Sequence, residues 1–206
     1  MSTELLRLVQ WLSPAFPLGS YAYSHGLETA VNRGGVSDGE TLAAWLDVLI
    51  ARGSGRNDAI LIGAARRGED VEDLAKALAA SKERLEETMA QGAAFAANLR
   101  ALGLAARAGP LPVVLGRAVA EFEADNATIT ALYLQSFASN LVQCAVRYVP
   151  LGQSVGQRVL SDLAPRIDQT ARETAGQSTD DIYSGAFLSD IAAMAHERET
   201  ARLFKT

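Results

Sequence analysis

Residues 128–149 read TITALYLQSFASNLVQCAVRYV, and no charged residue occurs between Ala127 and Val146. Leu132, Leu134, Phe137, Leu141, Val142, Ala145, Val146 and Val149 spread most of the way round a helical wheel instead of along one stripe. A helix that is apolar on all sides has to be covered on all sides. Asp125 or Asn126 can cap its start, and Pro150 with Gly152 ends it. An uncharged stretch of about 20 residues would be long enough to span a membrane. Here, however, Thr128, Thr130, Gln135, Ser136, Ser139, Asn140 and Gln143 break up the apolar run. The stretch therefore predicts the central helix of a helical bundle. Its small residues Ser136, Ala138, Ser139 and Ala145 let neighbouring helices come close.

The rest of the chain reads as cover for that helix. A length of 206 residues fits one domain. Alanine is abundant and β-branched residues form no alternating runs, which favours helix throughout. The predicted fold is all-α: a single-domain helical bundle over residues 1–206, with a flexible linker at 176–185 and a C-terminal tail at 186–206. The net charge of −5 argues against nucleic acid as a partner. The single cysteine, Cys144, allows no disulfide within the chain and reads as a small buried hydrophobe. Glu4 and Arg7 interrupt the first apolar run, so no signal peptide is read and a cytoplasmic location is expected.

Taken in order, Thr3 to Leu12 predicts a short helix broken at Ser13-Pro14. The irregular piece PAFPLGSYAYSHGLE follows, with a turn at Pro17 and Gly19 and a helix from Tyr21 to Asn32. Its aromatic residues Phe16, Tyr21 and Tyr23 suggest a packed or binding role. Ser37-Asp38-Gly39-Glu40 has the form of a capping box. Leu42, Trp45, Leu46, Leu49 and Ile50 then follow at helical spacing. Another helix is placed from Asn57 or Asp58 to Arg67, a short one over Val71–Ala80, and a long one over Ser81–Leu104. The charged first turns of the long helix (Lys82, Glu83, Arg84, Glu86, Glu87) read as a solvated face. Val113 to Phe122 predicts a further helix. Beyond Pro150, Pro165 separates two short helices, Ser154–Leu163 and Arg166–Ala175. The last helix is placed over Leu188–Phe204, with Leu188, Ile191, Ala192 and Ala195 on one side.

Little of this points to reaction chemistry. None of the lysines follows a glycine, so there is no phosphate-binding P-loop, and the dinucleotide pattern G-x-G-x-x-G is missing. The two histidines, His25 and His196, lie far apart in sequence and form no paired-ligand motif. Ser24, His25 and Glu28 can be drawn as a catalytic trio. The alternative is that Ser24 and His25 bond locally while Glu28 faces solvent or an ion-pair partner. Asn140, Gln143 and Arg147 sit on successive turns of the central helix, either as a network joining helices or as an interface patch.

Three motifs match one family. The first is LSPAFPLGSYAYSHGLE, residues 12–28. The second is Tyr133-Leu134, Ser139-Asn140-Leu141-Val142 and Ala145-Val146-Arg147, running into Val149-Pro150-Leu151-Gly152-Gln153 and Gly156-Gln157. The third runs from Asp190-Ile191-Ala192 through His196-Glu197 to Arg202-Leu203-Phe204. In order, spacing and length the chain resembles the urease accessory protein UreF. Residues 53–125 match only in helical character. Two positions depart from the pattern: Ala195 stands where a basic residue is common, and Phe187-Leu188 stand where a proline is.

The resemblance implies a non-catalytic chaperone subunit of urease maturation. Such a subunit bridges UreD/UreH and the GTPase UreG, engages apo-urease, assists nickel insertion and tends to form a homodimer. A role in modulating GTP hydrolysis by UreG goes with it. No cofactor is implied, since nickel is handled by the assembly. The partner-binding residues it implies are Pro17, Gly19, Ser20, Tyr23, His25, Gly26 and Glu28 in the first motif and Asn140, Arg147, Gln153 and Gln157 in the second. In the tail they are His196, Glu197, Arg202, Leu203 and Phe204. The tail is expected to order on a partner, with Arg202 as its clasp. Two other readings stay open: a direct nickel carrier using His25 and His196, and an all-α hydrolase using Ser24, His25 and Glu28.

Overall fold

The uncharged stretch does become the central helix. In the computed structural model, which describes residues 3–206, it is α8, Asn126–Tyr148, capped by the Asp125 carboxylate accepting from the Thr128 N–H at 2.6 Å. Ile129, Tyr133, Leu134, Phe137, Ala138, Leu141, Val142, Cys144 and Ala145 are all buried, which covers most of its circumference. The covering helices are α1 (Thr3–Trp11), α2 (Leu27–Asn32), α3 (Gly39–Arg52), α4 (Ser54–Arg66) and α9 (Gln153–Thr174). The fold is all-α, as the composition implied, with no strand among the described residues. No helix of the described residues is long and apolar enough to cross a membrane. Cys144 is buried, and burial pushes its thiol up to about 12.

α4 also packs on α7 (Leu111–Ala118), which in turn packs on the long α6 (Lys82–Ala101); the short α5 (Glu72–Ala77) lies against α7. Leu61, Ala64, Ala65, Val71, Ala75 and Val113 make a small satellite core there. α6 and the 109–111 segment approach so closely that a Cβ on Gly92 would stand 1.9 Å from the Gly109 carbonyl oxygen.

Several boundaries differ from the sequence reading, each for a local reason. α2 starts at Leu27, not Tyr21, because His25 and Gly26 both take left-handed φ angles (55° and 75°) and interrupt the helix. Ser20–Ala22 forms only a single 3-10 turn before them. The cap of α3 is Asp38 paired with Thr41, not Ser37 with Glu40. α4 begins at Ser54, since one residue, Gly53, suffices to join it to α3. The short helices of the middle end earlier than the apolar pattern implied, at Ala77 and Ala118.

Pro165 does not split α9. It faces outward, while Val159, Leu163, Ile167 and Ala171 form one buried stripe on both sides of it. Packing on α3 and α8 outweighs the lost hydrogen bond. The last helix, α10, is Phe187–His196 and stops well before Phe204. Its inner face is also not the one the apolar pattern suggested. Ser189, Ala192, Ala193 and His196 are buried, whereas Phe187, Leu188, Ile191 and Met194 are exposed. The small side chains are inside because α10 lies directly on the backbone of Gly26: a Cβ there would stand 2.6 Å from Ala193 N.

Gly92→Ala is expected to lower stability by about 1–3 kcal/mol, because the added methyl meets rigid backbone. A urea titration of the purified variant checks this. An unchanged midpoint would show that the α6–α7 contact is looser than described.

Candidate functional site

The three motifs meet at one end of α8. The Gly26 turn starts α2 and places Glu28 in its first turn, where the helix dipole favours a carboxylate. Glu28 is 2% exposed, contrary to the solvent-facing alternative. Its two oxygens accept from the main-chain N–H of Leu203 at 2.7 Å and of Phe204 at 2.8 Å. The Nε2 of His196 lies 3.2 Å from the same group. The other ring nitrogen, Nδ1, lies 2.7 Å from Glu83. Arg202 donates to the second oxygen of Glu83.

A second polar layer lies beside the first. The His25 Nε2 is 2.9 Å from Glu87, and the Arg84 guanidinium contacts both. Gln91 donates to Glu87 at 2.9 Å and the Thr206 hydroxyl does so at 3.2 Å. Burial alone would raise the Glu87 carboxyl, but the charges and hydrogen bonds of Arg84 and His25 outweigh it and hold the group at about 2. Burial, with Arg84 adding to it, lowers the imidazole of His25 despite Glu87. The main chain completes the docking: Lys205 N donates to Ala22 O at 2.7 Å and Ser24 N to Thr206 O at 2.8 Å. Phe204 is buried with its ring 6.1 Å from Tyr148, and the Arg147 guanidinium lies 5.5 Å above it.

The charged start of α6 is therefore not a solvated face. Lys82 and Glu86 are exposed, but Glu83 and Glu87, one helical turn apart, are buried acceptors for the two histidine layers. Sequence reasoning missed Glu83, Arg84 and Glu87. The available signal was the i, i+4 pair of glutamates in a chain whose two histidines each needed a partner.

A cavity of about 200 Å³ runs beneath the first motif, lined by Pro17, Gly19, Ser20, Tyr23, His25 and Asn140 among others. Asp58 and Tyr133 close one wall, with the phenol donating to the carboxylate at 2.6 Å. Burial raises Asp58 to about 6, against the opposing effect of that hydrogen bond.

Most of the motif residues come together here. Glu197 accepts from Lys82 N at 2.7 Å, Asn98 donates to Pro17 O at 3.3 Å, and Arg147 donates to Tyr21 O at 3.2 Å. Gln153 and Gln157 do not join them and lie exposed on the first turns of α9. The trio Ser24, His25 and Glu28 does not form a relay. The Ser24 hydroxyl donates to Thr206 O, His25 faces Glu87, and Glu28 holds the tail backbone. Stretch 176–185 lies against α4, where Arg56 donates to Asp181 O at 2.8 Å and to the Gln177 side chain at 2.7 Å.

What the geometry defines is an all-helical protein whose buried polar groups hold its own last residues against its first motif. A UreF family model matches residues 36–164. A urease accessory protein UreF of Cereibacter sphaeroides (strain KD131) is 52% identical, the alignment covering all of both chains. One from Jannaschia sp. (strain CCS1) is 50% identical over 98% of this chain and 94% of its own. The urease accessory protein UreF 1 of Brucella anthropi is 42% identical over all of this chain and 95% of its own. The chain belongs to the UreF family of urease accessory proteins.

Asp58 titrates higher in the fold (about 6) than its ordinary 3.8. A raised carboxyl contributes stability that is complete below pH 3.8 and lost as pH rises through 6. Asp58→Asn keeps an acceptor for Tyr133 and has no charge to bury. It is expected to stabilise the protein at pH 7.5 by on the order of 1–3 kcal/mol, with the gain vanishing near pH 4. Denaturant midpoints at the two pH values check both halves.

Proposed function

We propose that this chain is a urease maturation chaperone subunit that bridges UreD/UreH and the GTPase UreG and assists nickel insertion into apo-urease. The observation that carries this reading is the surface made by the docked tail. Residues 197–206 lie across the first motif, and beside them α10 presents Phe187, Leu188, Ile191 and Met194, each at least half exposed. Contiguous exposed apolar residues next to an ordered polar clasp suit contact with another protein. In this reading the α10 face and tail meet UreD/UreH, and the assembled pair recruits UreG. Nickel is cargo of the assembly, the chain works in the cytoplasm, and a homodimer is its free form. Modulation of UreG GTP hydrolysis belongs to the same reading.

The competing readings fit the geometry less well. A nickel carrier using both histidines would need free nitrogen lone pairs on each, yet both nitrogens of His196 are turned onto glutamates, and His25 has its Nε2 on Glu87 with its Nδ1 buried and without a hydrogen-bond partner. A hydrolase would need a base on the Ser24 hydroxyl, which instead donates to Thr206 O.

Co-purification tests the proposal. The tagged full chain is expressed with UreD/UreH and UreG beside a copy ending at Gly185, and each is run on size exclusion with light scattering. A stable assembly is expected with the full chain and its loss on truncation. Binding by both forms would move the interface off the tail. Binding by neither would remove the bridging role.

A further inference from the structure

We propose that the uncovered face of α10 is a docking groove for an acidic, apolar-anchored segment of a different protein, and not a contact between two copies of this chain. The proposal rests on the bridging reading above and deepens it, by naming the chemistry that the UreD/UreH side of the contact carries. Phe187, Ile191 and Met194 recur at i, i+4 and i+7, so they share one face of α10, with Leu188 at its edge. All four are at least half exposed, Leu188 at 75%. The opposite face has no room for them, because it lies on the Gly26 turn and admits only Ser189, Ala192 and Ala193. Beyond Met194 the strip runs into a groove between α10 and the end of α2, lined by Arg33, Ile191, Met194, Ala195, Arg198 and Glu199.

The charges at the ends of the strip say what covers it. Arg33 and Arg198 bracket one end. Arg52 stands near the other: its carbonyl accepts from the Gly185 N–H at 2.7 Å, and a Cβ on Gly185, two residues before Phe187, would stand 3.8 Å from its Cδ. All three arginines are exposed, and none of their guanidiniums has an ion-pair or hydrogen-bond partner among the described residues. By contrast, Arg84, Arg166 and Arg202 are tied to carboxylates, and Arg56 and Arg66 to main-chain carbonyls. A chain with a net charge of −5 thus sets free cations at both ends of its uncovered apolar strip. A guanidinium has five N–H donors and no acceptor, and the group it holds best is a carboxylate taken by two of them.

A second copy of the chain does not meet this need. Contact about a two-fold axis sets the same patch on both sides, so each end of the strip meets an end of its copy. Both ends are basic, and either direction of packing brings guanidinium against guanidinium. Like charges facing each other across an interface are strongly unfavourable. The carboxylates on and next to α10 already hold donors of their own chain. Glu199 accepts from Thr29 and Asn32, Asp190 from Ser184, and Glu197 from Lys82 N. A different protein with carboxylates set around large apolar side chains covers the strip and pairs the arginines together.

The affinity of the full chain for purified UreD/UreH, measured at about 50 and about 500 mM salt, tests this, with light scattering of the chain alone beside it. Ile191→Ala is expected to weaken binding about fivefold or more at both salt concentrations. Arg33→Glu combined with Arg198→Glu is expected to weaken it by at least about tenfold at low salt, with the fall of affinity on adding salt abolished. Arg33→Lys combined with Arg198→Lys keeps that salt dependence, and the mass of the free protein is unchanged in all three variants. A charge-reversed variant that binds as tightly as the unsubstituted chain overturns the proposal and leaves the bridging role standing. A fall in the mass of the free protein on Ile191→Ala assigns the strip to a second copy and overturns it too. So does sedimentation of the unsubstituted chain, but not of Ile191→Ala, with phosphatidylserine vesicles, which assigns the strip to a lipid surface. Absence of any binding by the unsubstituted chain removes the bridging role and this proposal with it.

Discussion

The buried carboxylate of Glu28 is the constraint on which this end of the molecule depends. An ionised carboxylate removed from water must find donors for its lone pairs. Glu28 finds them on two other segments: the His196 ring of α10 and the main chain of Leu203 and Phe204. That one group fixes the start of α2, the end of α10 and the path of the tail. It also explains the backbone before it. Gly26 has to be left-handed to launch α2 in this direction, and it must lack a side chain so that α10 can lie against it.

The remaining charges follow from that placement. Glu83 faces the opposite side of His196, and Arg202 balances Glu83. One turn further along α6, Glu87 repeats the arrangement with His25, Arg84 and the Thr206 hydroxyl. The two layers rest on an apolar floor. His25 meets Phe137 edge-on at 5.0 Å, and Phe204 packs on Tyr148. Apolar contact supplies attraction here, while the paired charges specify one path for the tail. Groups so fully committed to one another shape a surface.

α10 shows how packing can invert a sequence pattern. Its large apolar residues would ordinarily be assigned to the inside. Close approach to the Gly26 turn admits only serine and alanine, so the large residues are displaced outward. The uncovered apolar strip is thus a consequence of the same constraint that docks the tail.

Much of this protein was legible in the sequence. The uncharged run from Ala127 to Val146 could only be a covered helix, and it is α8. Alanine-rich helical spacing gave an all-α fold, and the three motifs were specific enough to suggest the family. These features are local: propensity, periodicity and capping act within a few turns of chain. What the sequence could not settle depended on groups far apart in it. Glu83 and Glu87 looked solvated until α2, α10 and the tail were laid over them, because the burial of a charge is decided by what covers it. Pro165 looked like a break until two neighbouring helices held α9 straight. The side-chain partners of His25, His196 and Glu28 across these layers lie 59 to 176 residues away, and only the tertiary structure could bring them within hydrogen-bond range.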